Sequence, residues 1–386
     1  MKRDEPLSQE QQQRLVDRWR LSYSRHIHQT RDEPKVIAGA LVTDIFDSKK
    51  QRYLDFTAGG GVLPMGHQDP LVKAAVIEVM DYFYQTGPFG ENIHGVQMEF
   101  VDMIVSHLKS HTRIAFLSSE NEAMLTAIAM AKKVAPNSKT LKVVVANSKR
   151  QIPFLSNSSR LTEGSDLSSM GVIVVRPMDP DTHQLIKPWE LDLVMKAKAH
   201  GAVIIWDETV TGFGWTGDMF TAPDFADFVV LGGALGGGIP LGAVAGKYLV
   251  DVPSLVGRQN VLGASDIGIT SGFHTMKRVS GKLSDGSVQN LSMKIDTLIT
   301  GLESLVPGLS STGQGLLRGL MFDEDGRAEE VRKQCRERGI LLRSDPVSGR
   351  ALQIMCPMTM TAANVNELFG VLGEILVGGE DDSHEE

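Results

Sequence analysis

The chain has 386 residues, of which 42% are hydrophobic and 22% charged, with a formal net charge of −8. That length buries a large core, and the negative balance argues against nucleic acid or an anionic membrane as partner, since both want a basic patch. Two cysteines, Cys335 and Cys356, build no disulfide framework and lack metal-ligand spacing, so a reduced cytoplasmic setting and no metal site are expected.

The opening Met1-Lys2-Arg3-Asp4-Glu5-Pro6 leads into polar residues, so no signal peptide is expected. Residues 9–23 read as a surface helix. Residues 36–55 read as short strands broken by polar turns. Residues 71–84 have helical spacing, with Leu71, Ala75, Val76, Val79 and Phe83 on one face, and 96–108 repeat it with Val96, Phe100, Val101, Ile104 and Leu108. From about residue 141 the texture changes. Short β-branched runs stand at 143–145, 172–175, 203–205 and 228–231, with helical or loop segments between most of them. Such runs predict a mainly parallel sheet covered on both faces. The polar stretch 157–169 reads as an exposed loop. Residues 291–305 and 365–377 read as amphipathic helices, and the acidic end is expected to be disordered. No internal repeat is visible, and no apolar run is long enough for a membrane helix.

Five landmarks carry a family resemblance. They are Tyr53-Leu54-Asp55-Phe56-Thr57-Ala58-Gly59 with Gly66-His67, Ile204-Ile205-Trp206-Asp207-Glu208, Leu231-Gly232-Gly233-Ala234-Leu235-Gly236-Gly237-Gly238, residues 311–319, and Cys356-Pro357-Met358-Thr359-Met360-Thr361. In order and approximate spacing they resemble the class III (omega) aminotransferases, pyridoxal-phosphate enzymes of fold type I. The resemblance implies an α/β fold with a mainly parallel large domain, residues 50–275. A smaller α+β domain is formed by both chain ends, 1–49 and 276–378, before a tail at 379–386. It implies function more weakly than fold.

The family holds its cofactor on a lysine within Leu-Gly-Lys-Ala-Leu-Gly-Gly-Gly. By that resemblance Gly233 stands at the lysine's place. Asp207 ends a strand, where ligands of parallel sheets bind, and the family's aspartate there bonds the pyridine nitrogen. The plain alternative is a strand-end turn cap; the surrounding match favours a pocket role. Other matched positions depart from the pattern. Val210 replaces a glutamine that meets the ring hydroxyl. Trp215 replaces an arginine, and packing under a loop is its expected use. Gln353 replaces an arginine that grips substrate carboxylate. The phosphate cradle shortens to Ser118-Ser119-Glu120-Asn121-Glu122 without its glycine. Ser118 or Ser119 could bind an anion, but Ser119 with Glu122 also makes an ordinary capping box, the favoured reading. No stacking aromatic follows 143–145, with Phe154 as a substitute or simply core. Thr270 is expected to reach the partner subunit's phosphate site. His274 has no family counterpart, and a lone histidine is more often packed than catalytic.

Losses this scattered point to natural divergence. Removing the lysine removes tether and base, and positioned acid–base groups alone are worth about 10²–10⁴-fold. Three readings follow. The first is a non-catalytic or regulatory homologue. The second is an enzyme reusing the pocket without a lysine aldimine, with pyridoxal or pyridoxamine phosphate held non-covalently or no cofactor, and Asp207, Glu208 or His274 as acid or base. The third is a small-molecule binding module. The family's two-fold active site implies a homodimer, or a heterodimer with an active homologue.

Overall fold

β-Branched residues favour extended backbone, and strands buried on both faces carry them without a break. That pattern shapes the centre of this protein. The structure is a computed structural model and describes residues 7–22, 35–82, 92–135, 142–147, 158–248 and 264–378. Helix α1 (Gln9–Ser22) comes first, then strands β1 (Ile37–Leu41), β2 (Asp44–Asp47) and β3 (Arg52–Asp55), paired antiparallel. Helices α2 (Pro70–Tyr82) and α3 (Gly95–Leu108) lead into the central sheet. Its strands are β4 (Arg113–Leu117), β5 (Lys142–Ala146), β6 (Ser158–Arg160), β7 (Met170–Val175), β8 (Val203–Asp207), β9 (Phe228–Leu231) and β10 (Gly242–Gly246). Helix α4 (Glu120–Val134) follows β4, and α5 (Pro188–Ala199) precedes β8.

The sheet order is β4-β10-β9-β8-β7-β5-β6. Strand β10 runs antiparallel to β4 and β9, and the pairs from β9 to β6 are parallel. Alternate residues serve opposite faces. Val143, Val145, Val172, Val174, Val203 and Ile205 pack in one cluster with Ala123, Ala127 and Ile128 of α4. Val144, Ile173, Val175, Ile204 and Trp206 pack on the other side with Phe100 and Ile104 of α3. The mainly parallel, doubly covered sheet expected from the sequence is the observed one.

Helices α6 (Asp266–Ser284) and α7 (Ser287–Leu305) follow, then β11 (Ser310–Gln314), β12 (Leu317–Met321), α8 (Arg327–Glu337), β13 (Ile340–Leu341), β14 (Arg343–Ser344), β15 (Ala351–Met355) and α9 (Ala362–Leu376). An antiparallel sheet has the order β11-β12-β15-β14, while β13 pairs parallel with β3, joining the two ends of the chain. Helix α6 runs unbroken across residue 275, where the sequence reading divides the large part from the C-terminal part. Among the described residues no helix is long and apolar enough to cross a membrane.

Several local expectations need correction. The buried stripe of α2 is Val72, Ala75 and Val79, while Leu71 is exposed. Asp69 explains the shift: it accepts the Leu71 and Val72 N–H groups and the Arg278 Nε, fixing how α2 turns against α6. The stretch expected as loop contains β6, which pairs parallel with β5 at the sheet's edge and is polar because it is half solvated. The matched segment 311–319 spans a hairpin, β11 and β12, turning at Gly315. Tyr23, Phe83, Tyr84, Phe154 and the tail 379–386 lie outside the described residues.

Candidate functional site

A cleft of about 320 Å³ opens at the carboxyl ends of β7, β8 and β9. Parallel strands leave their unpaired ends and following turns there, so side chains just past each strand converge. Arg176 follows β7, Asp207 ends β8, and Gly233 follows β9. Glu120 and Asn121 enter from the N-terminus of α4, Gly60 and Gly61 from the turn after β3, and Arg343 from β14. No lysine lines the cleft among the described residues. Nor is any group of three or more His, Cys, Asp or Glu among them placed to hold a metal.

Asp207 is almost fully buried, and its carboxylate is engaged by the chain itself. Oδ2 accepts from Arg176 Nε at 3.1 Å. Oδ1 accepts from the Thr209 N–H at 3.1 Å and the Thr209 hydroxyl at 2.7 Å. The aspartate is thus at once a pocket residue, half of a buried ion pair and a turn cap. Breaking a buried pair leaves an uncompensated charge. Arg176→Met is expected to cost about 3–5 kcal/mol, read as a lower urea midpoint, and Arg176→Met with Asp207→Asn much less. A single variant as stable as the parent would show the pair to be incidental.

Gly233 lies at φ +54°, in the left-handed region. A Cβ there would stand 2.3 Å from the Thr209 carbonyl oxygen. Its N–H donates to Glu120 Oε2 at 3.0 Å. Glu120 opens onto the cleft and is exposed to solvent. Desolvation raises its carboxyl, with nearby Asp207 adding to the shift, while the Gly233 bond and Arg176 oppose it.

Ser118 and Ser119 border this corner without lining the cleft. The Ser118 N–H donates to Glu122 Oε2 at 3.0 Å, and its hydroxyl donates to the same oxygen. Ser119 Oγ accepts the Glu122 N–H at 3.2 Å, the helix cap favoured from the sequence, although the returning Glu122 carboxylate reaches Ser118. On the opposite wall, Asp55 accepts from the Thr57 and Gly59 N–H groups and contacts His67 Nε2 at 2.9 Å, bracing the turn that carries Gly60 and Gly61. Desolvation opposes these bonds but is outweighed, so the Asp55 pKa lies below the ordinary value.

Glu208, Thr270 and His274 do not line the cleft. Glu208 alternates to the opposite side from Asp207 and is fully enclosed, with the Thr211 hydroxyl at 2.6 Å and the Thr221 hydroxyl at 2.8 Å donating to it. Burial pushes its carboxyl up to about 7. Such a group binds structure together, and the expectation that it faces a ligand is corrected. Thr270 is buried in its own chain at 3% exposure, its hydroxyl without a hydrogen-bond partner among the described residues, rather than on a surface reaching outward. His274 sits on α6 against Phe273, with Glu78 of α2 and Glu99 of α3 nearby; burial and Lys277 lower its pKa.

Trp215 is 1% exposed and packs under the hairpin, its carbonyl accepting the Leu316 N–H at 2.8 Å. Gln353 does not face the cleft as a clamp; its amide donates to the Pro180 and Asp181 carbonyls. The cation at this wall comes from Arg343, cross-strand partner of Gln353. The sequence reading missed Glu120, Arg176 and Arg343. Arg176 was findable, since it directly follows a parallel strand, β7, at the same end of the sheet where Asp207 stands. Arg343 had no local signal.

Residues 192–376 match the family model of class III aminotransferases. Over that stretch the chain is similar to these enzymes. An acetylornithine aminotransferase from Methanothermobacter thermautotrophicus is 25% identical over 380 residues, covering 89% of this chain and 94% of the relative. A glutamate-1-semialdehyde 2,1-aminomutase from Leptospira interrogans is 25% identical over 285 residues, 62% of each chain. The ornithine aminotransferase of Toxoplasma gondii, in a structure with pyridoxal phosphate partly occupying its active site, matches with a TM-score of 0.80 at 19% identity, over 96% of this chain and 95% of that one. The fold is therefore that of the fold type I aminotransferases. Asp207, Gly233 and Arg343 lie inside the stretch matched by the family model; Glu120 and Arg176 lie outside it.

Proposed function

We propose that this protein is a class III aminotransferase homologue that does not transaminate and serves as a non-catalytic or regulatory relative of the working enzymes. One observation carries the reading. Gly233, beside Asp207 at the end of β9, has no amine, and the Thr209 carbonyl fills the space where a side chain would start. The residues present fit pyridoxal phosphate poorly. Among the described residues no cleft lysine supplies the imine nitrogen or the proton shuttle. Asp207, the group for a pyridinium nitrogen, is already paired with Arg176 and capped by Thr209. Glu120 places a carboxylate on the Gly233 N–H.

The test is chemical. Purified protein incubated with pyridoxal phosphate, reduced with borohydride and mapped by peptide mass is expected to show no phosphopyridoxyl-lysine in the cleft. It is also expected to show no turnover of acetylornithine, ornithine or glutamate-1-semialdehyde, the compounds named in its relatives. A cleft adduct accompanied by turnover overturns the proposal.

A second reading, a small-molecule binding module, draws support from the cleft itself, which remains open and carries Arg343, Asp181 and Glu120 on its walls. A homodimer, or a pairing with an active homologue, belongs to the proposal. The exposed Leu71, Ile77, Met80 and Tyr82 give α2 an apolar outer face. A cytoplasmic setting accords with two free, buried cysteines.

A further inference from the structure

We propose that the turn joining β4 to α4 is an anion site filled from within: the carboxylates of Glu120 and Glu122 take the donors that an external phosphate group would need, and so bar phosphate-bearing ligands from the cleft. This rests on the preceding reading of the cleft as one that does not transaminate.

A 15-residue helix brings its N-terminus to the cleft. Such an end carries partial positive charge and unpaired N–H groups, and it attracts anions. Three further donors stand beside it: the Ser118 N–H, the Ser118 hydroxyl and the Gly233 N–H. Each already has a carboxylate oxygen. Glu122 Oε2 accepts both groups of Ser118, and Glu120 Oε2 accepts Gly233. Ser119 Oγ accepts the Glu122 N–H, which takes one of the helix-end donors.

Packing holds the arrangement in place. A Cβ on Gly232 would lie 2.4 Å from Glu120 Cβ, so the chain just past β9 lies directly against the stem of Glu120. Gly242 makes a similar approach on the other side, with a Cβ there 2.2 Å from the Ser119 carbonyl oxygen. The base of the Glu120 side chain has backbone against it, while its carboxylate is exposed at the cleft and held by the Gly233 N–H. An incoming phosphate would meet two negative charges and donors already in use. Arg343 and Arg176, the latter paired with Asp207, line the same cleft, so removing the internal carboxylates makes this corner less negative.

A purely structural role for the two glutamates makes a different forecast. As helix-end charges they would add stability, and neutralising them would weaken α4 without creating any affinity for phosphate. Calorimetric titration of the full-length parent, Glu120→Gln, Glu122→Gln and the double variant separates the two roles. The probes are inorganic phosphate, pyridoxamine 5′-phosphate and pyridoxamine. The parent is expected to give no saturable binding of either phosphate probe. The single variants should gain saturable binding, at least about tenfold tighter than any parent response, and the double variant more. Pyridoxamine, which lacks the phosphate, should gain nothing. Glutamine removes the negative charge and leaves a weaker, neutral acceptor that an anion can displace from the Gly233 N–H, and near-ultraviolet circular dichroism shows whether each variant is folded. Saturable phosphate binding by the parent overturns the proposal whatever the variants do. So does a folded single or double variant that binds neither phosphate probe. Parent binding of pyridoxamine phosphate without any lysine adduct overturns the internal plug alone. A lysine adduct with turnover overturns the reading of the cleft instead.

Discussion

Replacing Gly233 by lysine is expected to destabilise the protein by about 2–5 kcal/mol and to restore no transamination. The backbone at 233 is left-handed, at φ +54°, a conformation that costs a residue with a Cβ about 1–2 kcal/mol. The new Cβ would stand 2.3 Å from the Thr209 carbonyl oxygen, and overpacking of that kind costs about 1–3 kcal/mol more. Thr209 cannot easily yield, because its N–H and hydroxyl are both tied to Asp207. A lysine amine that did fit would emerge beside Glu120 and Asp207. Carboxylates hold an ammonium protonated, and a protonated amine is no nucleophile. Urea denaturation gives the first quantity, and the visible aldimine band with added pyridoxal phosphate gives the second. A variant as stable as its parent that turns over amino donors would show that one substitution separates this chain from its active relatives.

Glu208→Leu is expected to cost about 3–5 kcal/mol, while Glu208→Gln keeps most of the stability. Leucine would strand the Thr221 N–H, the Thr221 hydroxyl and the Thr211 hydroxyl, all now donating to the carboxylate. Glutamine retains an oxygen for Thr221, and the Thr211 hydroxyl can turn to accept. The parent should also carry a pH signature. Glu208 has a folded pKa of about 7 against an ordinary 4.5. Between those values the folded protein keeps a proton that the unfolded chain has released, so stability falls as pH rises. The contribution is fully present below pH 4.5 and lost through pH 7, a change of about 3 kcal/mol. Subtracting the Glu208→Gln profile from the parent profile isolates this slope from His107 and His274, whose values burial lowers. Parallel profiles for the two proteins would assign the slope elsewhere.

The pattern of residues was enough for the central sheet. Strands β5, β7, β8 and β9 are β-branched runs buried on both faces, and that burial is a local property of composition. The placing of Asp207 at a strand's end was legible for the same reason. Helix α6 was not. Gly268, Thr270, Ser271, Gly272 and Thr275 lie within it, and none is a strong helix former. Their use appears only on packing: a Cβ on Gly272 would stand 2.3 Å from the Leu235 carbonyl oxygen and 2.9 Å from the Phe100 ring. Small residues let the helix press against the turn after β9, and tertiary contact overrides propensity.

The cleft divides along the same line. Sequence alone determined the α/β architecture, the absence of an amine at position 233 and the retention of a carboxylate at 207. Only the tertiary structure decided that Arg176 neutralises that carboxylate, that Glu120 takes the Gly233 N–H and that Arg343 supplies the far wall. These partners are 31 and 113 residues apart in the two hydrogen bonds, and Arg343 arrives from another sheet. Hydrophobic periodicity is written along neighbouring residues, whereas charge pairing depends on which strand ends the chain folding brings within about 3 Å of each other.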